Sequence, residues 1–460
     1  MSDRLEGRVA VIGGGLAGIA AALSIARAGA DAVLLEQRPF LGGRVFSFED
    51  PDTGATIDNG QHVLVGSCAR LRAFLRAIGS PADAFVRQPR LRIPILDATG
   101  RAGWVRAPRL PAPLHLAAAL YGYRHLDARS KWAIARAVRE LATSGAAERA
   151  EMEPLPLGAW LASRGMPARA IERFWEPLVR PALNIPVASA NLPLTAFFLE
   201  HALWAGPESG ALWLPSTGLS EALGEPAARA LARANVDVRA GTRVQTILVE
   251  GGRAVGVGLA DGGRLDARAV VSAVPPRILD AILPASVRPN RPHAMIGSSA
   301  IINVYLWYDR PVTELAFAGT FGSPLQWVFN RARLLGTERS GGECLGVSLS
   351  AADDCLEWSK ETLADRCDEA LAALFPARRG ASRTRFAVVK EPHATFCAAP
   401  DIARLRPGPV GPCPGLFLAG DWTDTGWPAT MEGAVASGEA AAGALLADGA
   451  ISRAPAPAAR

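Results

Sequence analysis

Residues Arg8 to Glu36 read RVAVIGGGLAGIAAALSIARAGADAVLLE, and the order of apolar run, glycine turn, small-residue helix and second apolar run decides the fold. Arg8 to Gly13 reads as a short buried strand, Leu16 to Ala28 as an alanine-rich helix stopped by Gly29, and Asp31 to Glu36 as a second strand. These lengths make a βαβ unit whose turn contains Gly13, Gly14, Gly15, Ala17 and Gly18. The glycines permit a tight turn and close backbone approach, and the helix N-terminus offers free N–H groups to a pyrophosphate. Glu36 ends the second strand where a ribose-binding carboxylate belongs. The chain therefore opens with a dinucleotide-binding fingerprint.

With 460 residues, 49% hydrophobic and 20% charged, the chain can bury a large core and divide into two or three domains. The balance of 49 basic against 44 acidic side chains gives a net charge of only +5, too mild to indicate a nucleic-acid partner. No window approaches about eighteen uninterrupted apolar residues, and the first strand runs straight into a glycine turn, so neither a spanning helix nor an export signal is expected. The six cysteines are scattered without a CxxC pair, which argues against a metal site or a disulfide framework and for reduced thiols in the cytoplasm.

Three further stretches carry polar chemistry. After Glu36 and Gln37 comes RPFLGGRVFSF, in which Gly42 and Gly43 can bring backbone close to a ligand and Arg44 can meet its phosphates. Ile57 to His62, IDNGQH, is a polar cluster suited to a strand end facing a ligand. It contains Gly60, Gln61 and His62, with Asp58 placed to orient the imidazole, and His62 is the first candidate proton donor because its ordinary pKa suits the role. Asp58, Asp421 and Asp424 are alternatives. Near the other end, GLFLAGDWT is a strand ending at Gly420 and Asp421, and TMEGA leads into a small-residue helix from Met431 through Glu432 and Ala434. The positive end of that helix dipole can face an anionic ligand ring.

The GGR after the acidic strand end resembles the FAD-dependent amine oxidase and phytoene desaturase superfamily. DNGQHVLVG at Asp58 to Gly66, FWEPLVRPALN at Phe174 to Asn184 and LAGDWTDTGWPATMEGAVASG at Leu418 to Gly438 resemble its squalene-associated branch, that of the hydroxysqualene dehydroxylases. The resemblance implies an α/β fold: a Rossmann-type FAD-binding domain of the GR2 type, a mixed-sheet substrate domain and a helical subdomain. It implies FAD, held non-covalently since no cysteine or histidine stands in a flavinylation context, and it assigns Val244 in TRVQTI to a strand whose backbone meets the adenine end. The implied reaction reduces a C30 prenyl lipid, hydroxysqualene, to squalene with loss of water, fed by an unidentified reductant.

The expected FAD-binding domain comprises residues 1–105, 215–290 and 405–447; a helical subdomain spans 106–214, a substrate sheet 291–404, and a disordered tail 448–460. A greasy substrate needs an apolar lining, for which Trp160, Phe174, Trp175, Phe197, Phe198, Trp204, Trp213, Trp307 and Trp327 are available. Residues 101–139 mix Trp104, Leu110, Leu114, Tyr121 and Trp132 with arginines, the composition of an interfacial helix pair, so peripheral contact with the inner membrane face is expected. The rivals are a carotenoid-type desaturase, an amine oxidase, a non-catalytic flavin-bound scaffold and an NAD-only dehydrogenase. Amine-oxidising members often place a lysine on the flavin side, whereas this chain has only Lys131, Lys360 and Lys390. A second cofactor motif at Gly420 is unexplained in an NAD-only enzyme.

Overall fold

The computed structural model describes residues 7–337 and 342–448. Five parallel strands form the nucleotide sheet in the order Asp237–Ala240, Ala32–Glu36, Val9–Ile12, Ala269–Ser272 and Leu416–Leu418. Apart from the edge strand Asp237–Ala240, the strands are buried on both sides because both faces are covered. Val9, Val11 and Leu34 share a core with the helix Leu16–Arg27, while Ala10, Ile12, Val33 and Leu35 point the other way into a core shared with the antiparallel meander Val244–Glu250, Arg253–Leu259 and Arg264–Asp266. The first helix packs against the last, Met431–Ala447, at a glycine: a Cβ on Gly438 would lie 2.1 Å from the Ala17 carbonyl oxygen. The small-residue composition of both helices is thus a close-packing requirement.

A seven-stranded mixed sheet forms the second layer, ordered Arg383–Thr395, Ser299–Tyr308, Glu343–Ser350, Trp327–Asn330, Phe317–Thr320, Arg92–Leu96 and Ala102–Arg106. Its last two members correct the expected boundary at residue 105. Arg92–Leu96 pairs parallel with Phe317–Thr320 and antiparallel with Ala102–Arg106, so the backbone hydrogen bonds of this hairpin belong to the substrate sheet. Helices fill most of 114–204, and Asp127 caps Ala128–Ala142 by accepting from the Ser130 amide at 2.8 Å. Asn184, in a left-handed conformation, ties these helices to the sheet. Its amide donates to Ser299 O and Thr395 Oγ1, and its Oδ1 accepts from the Ala351 amide. Of the expected tail, Asp448 caps the final helix, and 449–460 lie outside the described residues.

Candidate cofactor and active site

The cofactor cradle forms where the parallel strands end. Gly13 adopts φ +103°, and a Cβ on Gly18 would lie 1.9 Å from the Gly13 carbonyl oxygen, so the helix starts hard against the strand. Gly15 caps that helix without any side chain, and no acidic residue occupies the first turn. Its free N–H groups are therefore open to an anion. Gly43 approaches Gly15 so closely that a Cβ there would be 2.9 Å from the Gly15 Cα. Glu36 is buried, and each of its oxygens is already oriented: Gly14 N–H donates to Oε2 at 2.6 Å and Arg38 N–H to Oε1 at 2.9 Å. Each oxygen keeps a lone pair for a ribose hydroxyl.

Arg44 joins this end of the chain to the other. Its guanidinium donates to Asp421 Oδ1 at 2.7 Å and to the Ala394 carbonyl at 2.5 Å. The charge of Asp421 raises the Arg44 pKa further still, so the arginine is a fixed cation. Gly420 N–H donates to Ser437 Oγ at 2.8 Å, which locks the strand end onto the final helix. Thr430 caps that helix by accepting from Gly433 N–H at 3.1 Å. The Met431 to Ala434 amides thereby stand at a helix start beside the Gly420 and Asp421 strand end.

The IDNGQH segment lies alongside, since Asn59 Nδ2 donates to the Arg44 carbonyl at 3.2 Å. His62 is half-buried, and its Nδ1 is 2.9 Å from the Gly60 carbonyl. Burial lowers its pKa, the Gly60 carbonyl and the Asp58 charge pull it back, and the Arg44 charge lowers it again. Asp58 does not orient the ring by a hydrogen bond. Its carboxylate is buried and taken up by Arg331 Nη1 at 2.7 Å, Ser47 Oγ at 2.7 Å and the Leu219 amide at 3.0 Å. Asp58 and Asp421 thus both have their carboxylates engaged by arginines, and Asp424 is exposed and accepts from Gly426 N–H.

Two further positions gain detail. Glu432 turns its carboxylate away from the cradle: its oxygens accept from Arg70 and Leu71 N–H at 3.0 and 2.7 Å, capping the helix Ala69–Ile78, whose own cap residue Cys68 supplies no side-chain bond. Only the Glu432 backbone is left for a cofactor. Val244 begins a meander strand paired with Leu259, two residues after Thr242, whose N–H donates to the Glu36 carbonyl at 2.8 Å and so brings this segment to the acidic strand end. Gln37 follows Glu36 and makes no side-chain hydrogen bond among the described residues, and Gln61 Oε1 accepts from Arg331 at 3.2 Å while its buried Nε2 has no partner there.

Sequence reasoning missed several positioning groups. Arg38 holds the Gly43 carbonyl at 2.8 Å, Asn303 accepts from the Gln61 amide, and Tyr305 OH donates to the Asp58 carbonyl at 2.9 Å. Buried Arg406 donates to the carbonyls of Trp422, Thr423 and Trp427 and so shapes the loop before the final helix. Trp427 in that loop meets Phe197 and His201, which stack at 3.9 Å. Trp160 and Trp175, in contrast, are core residues. All three lysines are engaged elsewhere: Lys131 with the Tyr121 carbonyl, Lys360 with Asp52, and Lys390 with the Leu356 and Trp358 carbonyls.

An uncapped glycine helix start, a pre-oriented buried carboxylate and glycines whose Cβ atoms would collide fit an adenosine diphosphate, and a second helix start near Gly420 fits the flavin half. Fold and site define a flavoprotein oxidoreductase that uses FAD. Residues 16–446 match the flavin containing amine oxidoreductases, and the chain belongs to that family. It is 31% identical over 458 residues to a hydroxysqualene dehydroxylase of Rhodopseudomonas palustris, with 96% of this chain and 99% of the relative covered. A 15-cis-phytoene desaturase of Narcissus pseudonarcissus is 26% identical, with 96% and 79% covered. Among solved structures, putrescine oxidase with bound putrescine superposes with a TM-score of 0.72 at 17% identity, covering 96% of this chain and 99% of that one. That likeness fixes the fold.

Proposed function

We propose that this enzyme reduces hydroxysqualene to squalene, the hydroxyl leaving as water, and thereby supplies a hopanoid route. The observation that carries the reading is the near full-length match to the Rhodopseudomonas dehydroxylase, together with a site in which no lysine takes part. Bound FAD supplies hydride chemistry. Glu36 and the Gly13 to Gly15 turn would bind its adenosine diphosphate, the Gly43, Gly420 and Asp421 backbone its linker, and the Met431 and Glu432 amides, left free where Thr430 caps Gly433, its ring. His62, as imidazolium, would hand a proton from Nε2 to the departing hydroxyl, because Nδ1 is held at the Gly60 carbonyl. The Phe197, His201 and Trp427 rings offer electron-rich faces to the allylic cation left behind. No described helix is long and apolar enough to cross a membrane; the lipid substrate makes peripheral contact with the inner membrane face part of this proposal.

Phytoene-type desaturation is the second reading, favoured by the 26% match to the Narcissus enzyme. The two are separated by anaerobic incubation of the reduced holoenzyme with hydroxysqualene and of the oxidised holoenzyme with phytoene, followed by lipid extraction and mass spectrometry. Squalene with flavin reoxidation is expected from the first. A desaturated product from the second, with no squalene, would overturn the dehydroxylase.

A further inference from the structure

Ala102–Arg106 is the edge strand of the seven-stranded sheet, and its pairing sets Arg106 directly opposite Arg92. Like charges in that relationship repel and weaken a sheet. Both guanidinium groups lie against the Trp104 ring, 4.8 and 4.4 Å from its centroid for Arg92 and Arg106, and among the described residues neither has a carboxylate partner. The helix Leu114–Gly122 faces this strand across a cleft of about 370 Å³, lined by Ala102, Trp104, Arg106, Ala119, Gly122 and Arg124. Asp127 is the only acid from 101 to 139, and its carboxylate is occupied by the Ser130 amide and Arg169. The repulsion is therefore left for an external anion to relieve.

The same helix and its neighbour also expose side chains that water does not favour. Tyr121 is 83% exposed, Trp132 65% and Leu114 55%. Each ring also carries a cation: the Lys131 ammonium stands 5.5 Å from the Tyr121 centroid and the Arg136 guanidinium 4.8 Å from that of Trp132. A soluble anion would explain the cleft but not the apolar border. The geometry points to an anionic phospholipid headgroup in a bilayer, its phosphate held between Arg106 and Arg124 over Trp104, with Tyr121, Trp132 and Leu114 entering the acyl boundary. This deepens the membrane element of the proposed function by naming the headgroup charge and the residues that read it.

The test is flotation of the FAD-loaded protein with phosphatidylcholine vesicles and with phosphatidylcholine vesicles containing phosphatidylglycerol. Wild type should prefer the anionic vesicles, and R106Q/R124Q should weaken that binding roughly thirty-fold, from about one unit of surface electrostatic attraction per arginine. R129Q/R136Q, on the neighbouring helix but outside the cleft, should lose less, and Y121S/W132S should lose binding to both vesicles. Equal losses in the two arginine pairs would overturn the cleft, as would inorganic phosphate binding without vesicle partition. Turnover of detergent-dispersed hydroxysqualene should survive R106Q/R124Q. Intact vesicle preference without wild-type turnover would uphold the docking surface and sink the proposed reaction.

Discussion

Arg44 and Asp421, 377 positions apart in the chain, form an ion pair at 2.7 Å. The same guanidinium holds the Ala394 carbonyl, so one side chain ties the N-terminal glycine loop to the C-terminal strand end and to the substrate sheet. Removing it with Arg44→Ala should cost about 1.5 to 3 kcal/mol of FAD binding, the range for a hydrogen bond to a charged group. Arg44→Lys should recover only part of this, because an ammonium cannot span two acceptors in the planar geometry of the guanidinium. Equilibrium flavin release, with Asp421→Asn and the double variant completing a cycle, checks the pair: additive losses would show that the two do not act together.

Glu36→Ala should weaken FAD retention by a similar amount, about 1.5 to 3 kcal/mol, and also free the Gly14 and Arg38 amides that the carboxylate now accepts. Glu36→Gln should fall between. Fluorescence titration of the apoprotein with FAD measures both, and an unchanged affinity would remove Glu36 from the ribose site.

Glu432→Ala should behave differently. Its carboxylate serves the Arg70 and Leu71 amides, so the loss falls on stability, about 1 kcal/mol for a helix cap, with FAD affinity unchanged. A lower unfolding midpoint together with normal flavin titration is the expected signature. Weakened flavin binding at unchanged stability would return Glu432 to the cradle.

For His62 the direction of the pKa shift sets the pH dependence. Burial holds it below its ordinary 6.5, so the imidazolium needed for proton delivery forms only on the acidic side, and turnover should rise as pH falls from 6.5. His62→Gln should remove that limb and lower kcat by about 10² to 10⁴-fold, the usual contribution of a general acid. Stability runs the opposite way: with the folded pKa depressed, this contribution is complete above 6.5 and is lost as pH falls toward the folded value. A flat rate profile shared by wild type and variant would exclude His62 as the donor.

The parts of this site that could be read from sequence are those set by neighbours in the chain. A strand, glycine turn, helix and Glu36 form one local unit, and Gly420, Asp421 and Thr430 form another. The place of Glu432 at a helix start is local and legible, whereas the direction of its carboxylate depends on the helix Ala69–Ile78 that packs beside it. Arg331 left no signal at all, because its partners Asp58 and Gln61 lie far back in the chain. The boundary at 105 failed for the same reason, since the hairpin 92–106 finds its sheet partner only at Phe317–Thr320.

The close packing of Gly438 on Ala17 also bears on how the protein is made. The first βαβ unit is synthesised well before the strand Leu416–Leu418 beside which its sheet is completed and the helix that covers it. Until then an apolar parallel sheet has an open edge and a bare helix face, the kind of surface that recruits chaperones. Flavin capture must therefore wait until both halves of the cradle have been synthesised, so a folding intermediate holding only the first βαβ unit cannot retain the cofactor.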